Sequence, residues 1–338
     1  MSLQPRTLAL LRNLIGIAAI VLIFFFLGRT LVSNWSELSS EDIDVQPALL
    51  VLSALPATAG VIMMAITWAT IVGYLGGGAE RLSRTELPKI FLYSWVGRYI
   101  PGKVAYVVGR FVLGRSRGIA ATPLIASMAY EGVLLVVAGA AFSSLLLVPS
   151  LAVESESVVP YLALPVLAAA GAIGLHPRVL GWALGVGLRV LGREQGSHEW
   201  LLSPAQMARI AGLYFVSFCF SSAGFYLLII SLTSYSPGHL PLAAGTFTLA
   251  SIIGMISIFA PAGLGVREGI LVAVLQTSMP VELAVMVSLV ARVWATAIDL
   301  LLVGGCFAYD YASGERMLLA ALRGRSMELE GATDAVES

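Results

Sequence analysis

Charged residues are scarce in this chain. Lys and Arg number 20 and Asp and Glu 20, together 12% of 338 residues, where a soluble domain carries about 25%. With a hydrophobic fraction of 58% and a mean hydropathy of +0.89, that scarcity excludes a soluble globular protein and defines a polytopic membrane protein. Cysteine is nearly absent as well. Cys219 and Cys306 both fall inside apolar segments, which excludes a disulfide framework or a thiolate metal site and predicts buried free thiols. The three histidines, His176, His198 and His239, are scattered without ligand spacing. There is no Ser-His-Asp set, phosphate loop or dinucleotide glycine motif. The expectation is therefore a non-enzyme without metal or cofactor and without a nucleic-acid partner.

What the chain does have is apolar length. A helix needs roughly 20 residues to cross about 30 Å of hydrocarbon. Six runs qualify: 9–31, 48–75, 120–148, 158–176, 207–233 and 283–309. The first is read as a retained helix rather than a cleaved signal. Two further stretches, 87–116 and 243–279, are interrupted at Pro101-Gly102 and at Pro261-Ala262-Gly263. The arms of the first are too short to cross, as in a re-entrant hairpin or an interfacial helix pair. The arms of the second are longer and come close to crossing. The expected fold is an all-α polytopic membrane protein. It has about six full transmembrane helices and two Pro-Gly-broken re-entrant hairpins, or eight spans if the second hairpin crosses.

Sign segregates along the chain. Arg6 and Arg12, the eight bases between 76 and 119, those in 177–209, and Arg316, Arg323 and Arg325 alternate with the acidic or neutral loops. The positive-inside rule then puts both termini in the cytoplasm of a multi-pass cell-membrane protein. Residues 1–325 read as one transmembrane domain, 177–206 as a polar cytoplasmic connection, and 326–338 as a disordered acidic tail. The element order in 9–148 recurs in 158–309 with inverted topology. Pro101 lies 30 residues before Glu131 and Pro261 lies 31 before Arg292. Inverted repeats with broken helices are a transporter pattern, with the site near the midplane.

The breaks carry the candidate site. A helix starting after Pro101-Gly102 aims free N–H groups at the tip, and Arg98 and Lys103 flank it. At the second break Gly263 and Gly265 permit a tight backbone, and a helix opening near Val266 carries Arg267 and Glu268. Glu268 suits the helix N-terminus. Arg267 opposes the dipole there and needs an anion or Glu131 as partner. Glu131, Arg292 and Asp299 lie inside spans, where ionisable groups mark function by default. Glu131, Glu268 and Asp299 are candidates for balancing charge or carrying a proton. A structural Glu131–Arg292 pair is the bland alternative. Lys89, Arg110, Arg115 and Arg117 are expected to snorkel to headgroups. Tyr93, Trp95, Tyr99, Tyr106, Tyr130 and Trp294 read as interfacial or packing residues.

The segments Gly97-Arg98-Tyr99-Ile100-Pro101-Gly102-Lys103 and Ala260-Pro261-Ala262-Gly263-Leu264-Gly265-Val266-Arg267-Glu268 resemble signatures of the lysylphosphatidylglycerol synthase transmembrane family. In layout the resemblance covers about residues 10–310. It implies a flippase-like fold with headgroup recognition at the breaks. No aminoacyl-transferase domain is found in the chain, so synthesis of the lysyl-lipid is not expected. Stand-alone members are similar to proteins linked to glycosyltransferases and polyprenyl-lipid pathways. The expected ligand is an anionic phospholipid or polyprenyl-phosphate lipid, and a glycosyltransferase or lipid-modifying enzyme is the candidate protein partner. The alternatives are an ion-coupled carrier of a small soluble anion and a non-transporting partner of a glycosyltransferase.

Overall fold

The structure, a computed structural model, describes residues 45–100, 104–154, 201–257 and 263–314, together with 165, 166 and 169. Apart from those three residues, the expected span 158–176 lies outside the described residues, as do the span 9–31 and the tail 326–338. The same is true of Pro101, Gly102, Lys103 and Pro261.

Among the described residues all regular structure is helical. The helices are α1 (Pro47–Leu75), α2 (Glu86–Trp95), α3 (Val104–Ser116), α4 (Ala121–Glu154), α5 (Pro204–Ile230), α6 (Leu240–Ile256), α7 (Val266–Leu275) and α8 (Val281–Ser313). Five elements are long and apolar enough to cross a membrane: α1, α4, α5, α8, and α6 with the single 3-10 turn before it. Boundaries follow local chemistry. Ser203 caps α5 by accepting from Gln206 N at 3.2 Å, Gln206 Oε1 accepts from Ser203 N at 2.8 Å, and Pro204 sits at the first helical position.

The short helices surround the breaks. α2 has 10 residues and α3 has 13, so they reach about 15 and 20 Å at 1.5 Å per residue, short of a crossing. At the second break α6 has crossing length, but α7 has only 10 residues, about 15 Å, shorter than the arm read from the sequence. The physical cause lies at both ends of α7. Gly263 and Gly265 take positive φ (72° and 82°) and delay helix entry to Val266. Thr277 Oγ1 and Ser278 Oγ donate back to the Val274 and Leu275 carbonyls at 2.7 and 3.2 Å, and Pro280 then precedes α8. At each break a glycine lies against backbone nine positions away, later in the chain at the first and earlier at the second. A Cβ on Gly97 would lie 2.5 Å from Tyr106 N, and one on Gly263 would lie 2.7 Å from Gly254 Cα.

α1 and α5 form the central seam. A Cβ on Gly60 would lie 3.0 Å from Ser221 N and 3.1 Å from Ser217 O. One on Gly224 would lie 2.8 Å from Ala57 N and from Ser53 O. Residues 53, 57 and 60 thus face 217, 221 and 224 reciprocally, with the same spacing on each helix and with the helices antiparallel. Ser217 Oγ donates to Gly60 O at 2.9 Å across the seam. One apolar cluster, with Trp68, Phe91, Trp95 and Tyr106, ties α2 and α3 to α1. Another, with Phe225, Phe247, Leu271 and Trp294, ties α6, α7 and α8 to α5. Gly224→Ala is therefore expected to lower stability by about 1–3 kcal/mol through backbone overpacking. Gly73→Ala in α1, with nothing within 4 Å of the new Cβ, is expected to be neutral or mildly stabilising. Melting temperatures in detergent check the contrast.

Two expectations fail on this fold. Cys219 is exposed, and Cys306 is only partly buried, at the margin of the cluster around Trp68 and Phe91. Lys89 and Arg110 do not snorkel: both are buried. Lys89 Nζ pairs with Asp310 Oδ1 at 2.7 Å and Arg110 pairs with Glu131, because α2 and α3 are folded inward against α8 and α4. At the end of α3, Arg115 Nη1 donates to the Ile119 carbonyl at 3.0 Å and Arg117 pairs with Glu86 at 2.9 Å.

Candidate functional site

Between the two breaks and helices α1, α4, α5, α6 and α8 lies a cavity of about 350 Å³. Its lining is mixed: Val61, Met64, Met128, Leu135, Phe218 and Ile252 are apolar, while Arg98, Tyr99, Arg267, Arg292, Thr296 and Asp299 are polar. Three of the polar residues stand on α8. Arg292, Thr296 and Asp299 stand at i, i+4 and i+7, one face of a 3.6-residue period, and each is nearly fully buried.

The first break docks on that face through Asp299. Arg98 Nη2 pairs with Asp299 Oδ2, Tyr99 OH donates to the same oxygen at 2.6 Å, and Trp95 Nε1 donates to Oδ1 at 2.9 Å. The Arg98 guanidinium stacks 4.2 Å from the Trp95 ring centre, and its buried Nε has no partner among the described residues. The second break docks one turn or more away through Arg292, whose Nη1 donates to Glu268 Oε1 at 3.4 Å. Glu268 Oε2 accepts from Gly265 N at 2.7 Å, so this carboxylate also caps α7.

Glu131 reaches the cavity from α4 and is held from behind. Arg110 pairs with its Oε2 and Tyr106 OH donates to its Oε1 at 2.7 Å. Arg110 is wholly buried, its Cζ 4.3–4.7 Å from the Tyr106, Phe91 and Trp68 ring centres and its Nε donating to Ser94 Oγ at 3.1 Å. This arrangement corrects the expectation that Glu131 pairs with Arg292 or Arg267. Arg110 lies on α3, packed against α4, and takes the carboxylate first.

Arg267 is the exception. Its guanidinium lies 4.8 Å from the Phe247 ring centre, and no carboxylate among the described residues pairs with it. Among the described residues, four guanidiniums (Arg98, Arg110, Arg267 and Arg292) thus accompany three carboxylates (Glu131, Glu268 and Asp299), and the one without an ion pair is Arg267. Its place in the first turn of α7 sets it against the helix dipole. An anion in the cavity would meet both needs.

The sequence pointed to Arg98, Arg267, Arg292, Glu131, Glu268 and Asp299, and the structure gathers all six at or beside this cavity. Gly263 and Gly265 take positive φ just before the helix that carries Arg267. Sequence reasoning missed the role of Arg110, and it read Trp95, Tyr99, Tyr106 and Trp294 as interfacial or packing residues although all four line the cavity. The i, i+4 spacing of Tyr106 and Arg110 on a short helix was the available signal.

Fold and site define a polytopic helical membrane protein that encloses a cationic cavity between two broken-helix segments. The profile described as "Lysylphosphatidylglycerol synthase TM region" matches residues 13–303, and the chain belongs to that family. None of the curated proteins matches it.

Proposed function

We propose that this protein binds a phosphate-headgroup lipid, a phospholipid or a polyprenyl-phosphate lipid, and moves the headgroup across the membrane. The observation that carries the reading is Arg267, without an ion pair among the described residues, in a cavity that also has extensive apolar lining. A headgroup phosphate would take Arg267 and the free Nε of Arg98, using the guanidinium fork. The lipid chain would lie along Val61, Met64 and Met128. Glu131, Glu268 and Asp299 balance the remaining arginines. The reciprocal, antiparallel α1–α5 crossing supports an inverted repeat, a two-fold pairing of halves in which two re-entrant hairpins approach one midplane site. On the charge pattern both termini lie in the cytoplasm.

The test is a proteoliposome assay. Purified protein is expected to speed the exposure of a headgroup-labelled phospholipid to an impermeant quencher, with no flux of glycerol phosphate or inorganic phosphate. Flux of either soluble anion without lipid movement would establish the soluble-anion carrier instead. No flux of any kind by folded protein would end the transport reading.

A further inference from the structure

We infer that the cavity selects a headgroup whose only charge is its phosphate and rejects headgroups that also carry an amine. This rests on the lipid-binding half of the proposal above and not on translocation. The argument concerns the carboxylates. Asp299 is committed to Arg98, Trp95 and Tyr99. Glu268 is committed to Arg292 and to the Gly265 amide. Glu131 is committed to Arg110 and Tyr106. Among the described residues, no carboxylate on the cavity is left for an incoming ammonium group. That group would lose its hydration, find no counter-charge, and sit beside the unpaired Arg267. A bare phosphate does the reverse, bringing the missing negative charge to the surplus guanidinium. An amine could displace Arg98 from Asp299, but a second unpaired guanidinium would then remain in a site closed by Trp95 and Tyr99.

Binding of defined lipids to the purified full chain, read by native mass spectrometry and by thermal shift, tests this directly. Phosphatidylglycerol and a polyprenyl monophosphate are expected to bind at least tenfold more tightly than phosphatidylethanolamine or lysylphosphatidylglycerol. Inorganic phosphate and glycerol phosphate are the tail-free arms, expected to bind far more weakly than either anionic lipid. An amine-bearing lipid binding within threefold of phosphatidylglycerol overturns the inference. Inorganic phosphate binding as tightly as phosphatidylglycerol overturns its lipid clause. Two variants probe the cause. Arg98→Gln releases Asp299 from its cation, and Ser251→Asp adds a carboxylate to the lining. Each is expected to bring the ratio of phosphatidylglycerol to phosphatidylethanolamine binding below threefold. An unchanged ratio in whichever variant folds removes the carboxylate explanation. Equal translocation of both phospholipids, with translocation itself intact, would sink this inference while leaving the transport proposal standing.

Discussion

Arg267→Ala is expected to lower the rate of headgroup translocation in proteoliposomes roughly 10- to 100-fold while the protein still folds. Both halves follow from the side chain's surroundings. Arg267 has no ion pair among the described residues, so its removal strands no carboxylate, and the fold loses mainly a contact with the Phe247 ring, about 0.5–2 kcal/mol. A charge-assisted hydrogen bond to a phosphate contributes about 1.5–3 kcal/mol, which is the stated range in rate. Arg267→Lys keeps the charge but loses the planar fork, and it is expected to fall between the two. Initial rates, paired with a melting temperature within a few degrees of the parent, check the result. A folded Arg267→Ala protein that moves lipid at the parent rate removes this residue from the site.

Glu131→Ala should do the opposite, damaging the fold first. It leaves the Arg110 guanidinium wholly buried, with Ser94 Oγ as its remaining hydrogen-bond acceptor. Breaking one side of a buried ion pair costs about 3–5 kcal/mol. Replacing both partners, Arg110→Met with Glu131→Leu, removes the stranded charge and is expected to recover most of the loss, since apolar pairs of similar volume substitute well for buried ion pairs. Folded yield and melting temperature of the two singles and the double form a cycle. A Glu131→Ala protein that melts with the parent would mean the pair contributes nothing to stability. The pairing also supports charge balance, rather than proton carriage, as the role of Glu131.

These two arginines show how far reading the chain could go. Arg267 was legible because its signal is local: a positive residue in the first turn after two glycines opposes the helix dipole wherever that helix packs. Arg110 was not, because nothing in residues 104–116 says whether that helix faces headgroups or protein. Only the packing of α3 against α4 buries it, 21 residues in sequence from the acid that holds it. The aromatic residues misled for the same reason. Tyr and Trp at these positions fit a membrane interface equally well, and only the docking of the first break on Asp299 turns Trp95 and Tyr99 into lining. Likewise the shortness of α7 depended on hydroxyls that bond back to its last carbonyls.

By itself, then, the sequence determined the membrane class, four of the long helices, the two breaks and the sign of the charge beside them. Hydropathy, helix-breaking residues and charge density act over one or two turns and need no partner. Tertiary structure alone decided which charges cancel. Arg98 meets Asp299 across 201 residues of chain and Arg292 meets Glu268 across 24. Such pairings form within a few ångströms or not at all, and the docking of both breaks on α8 sets those distances. Among the described residues, the same cancellation leaves Arg267 without a carboxylate partner in the cavity.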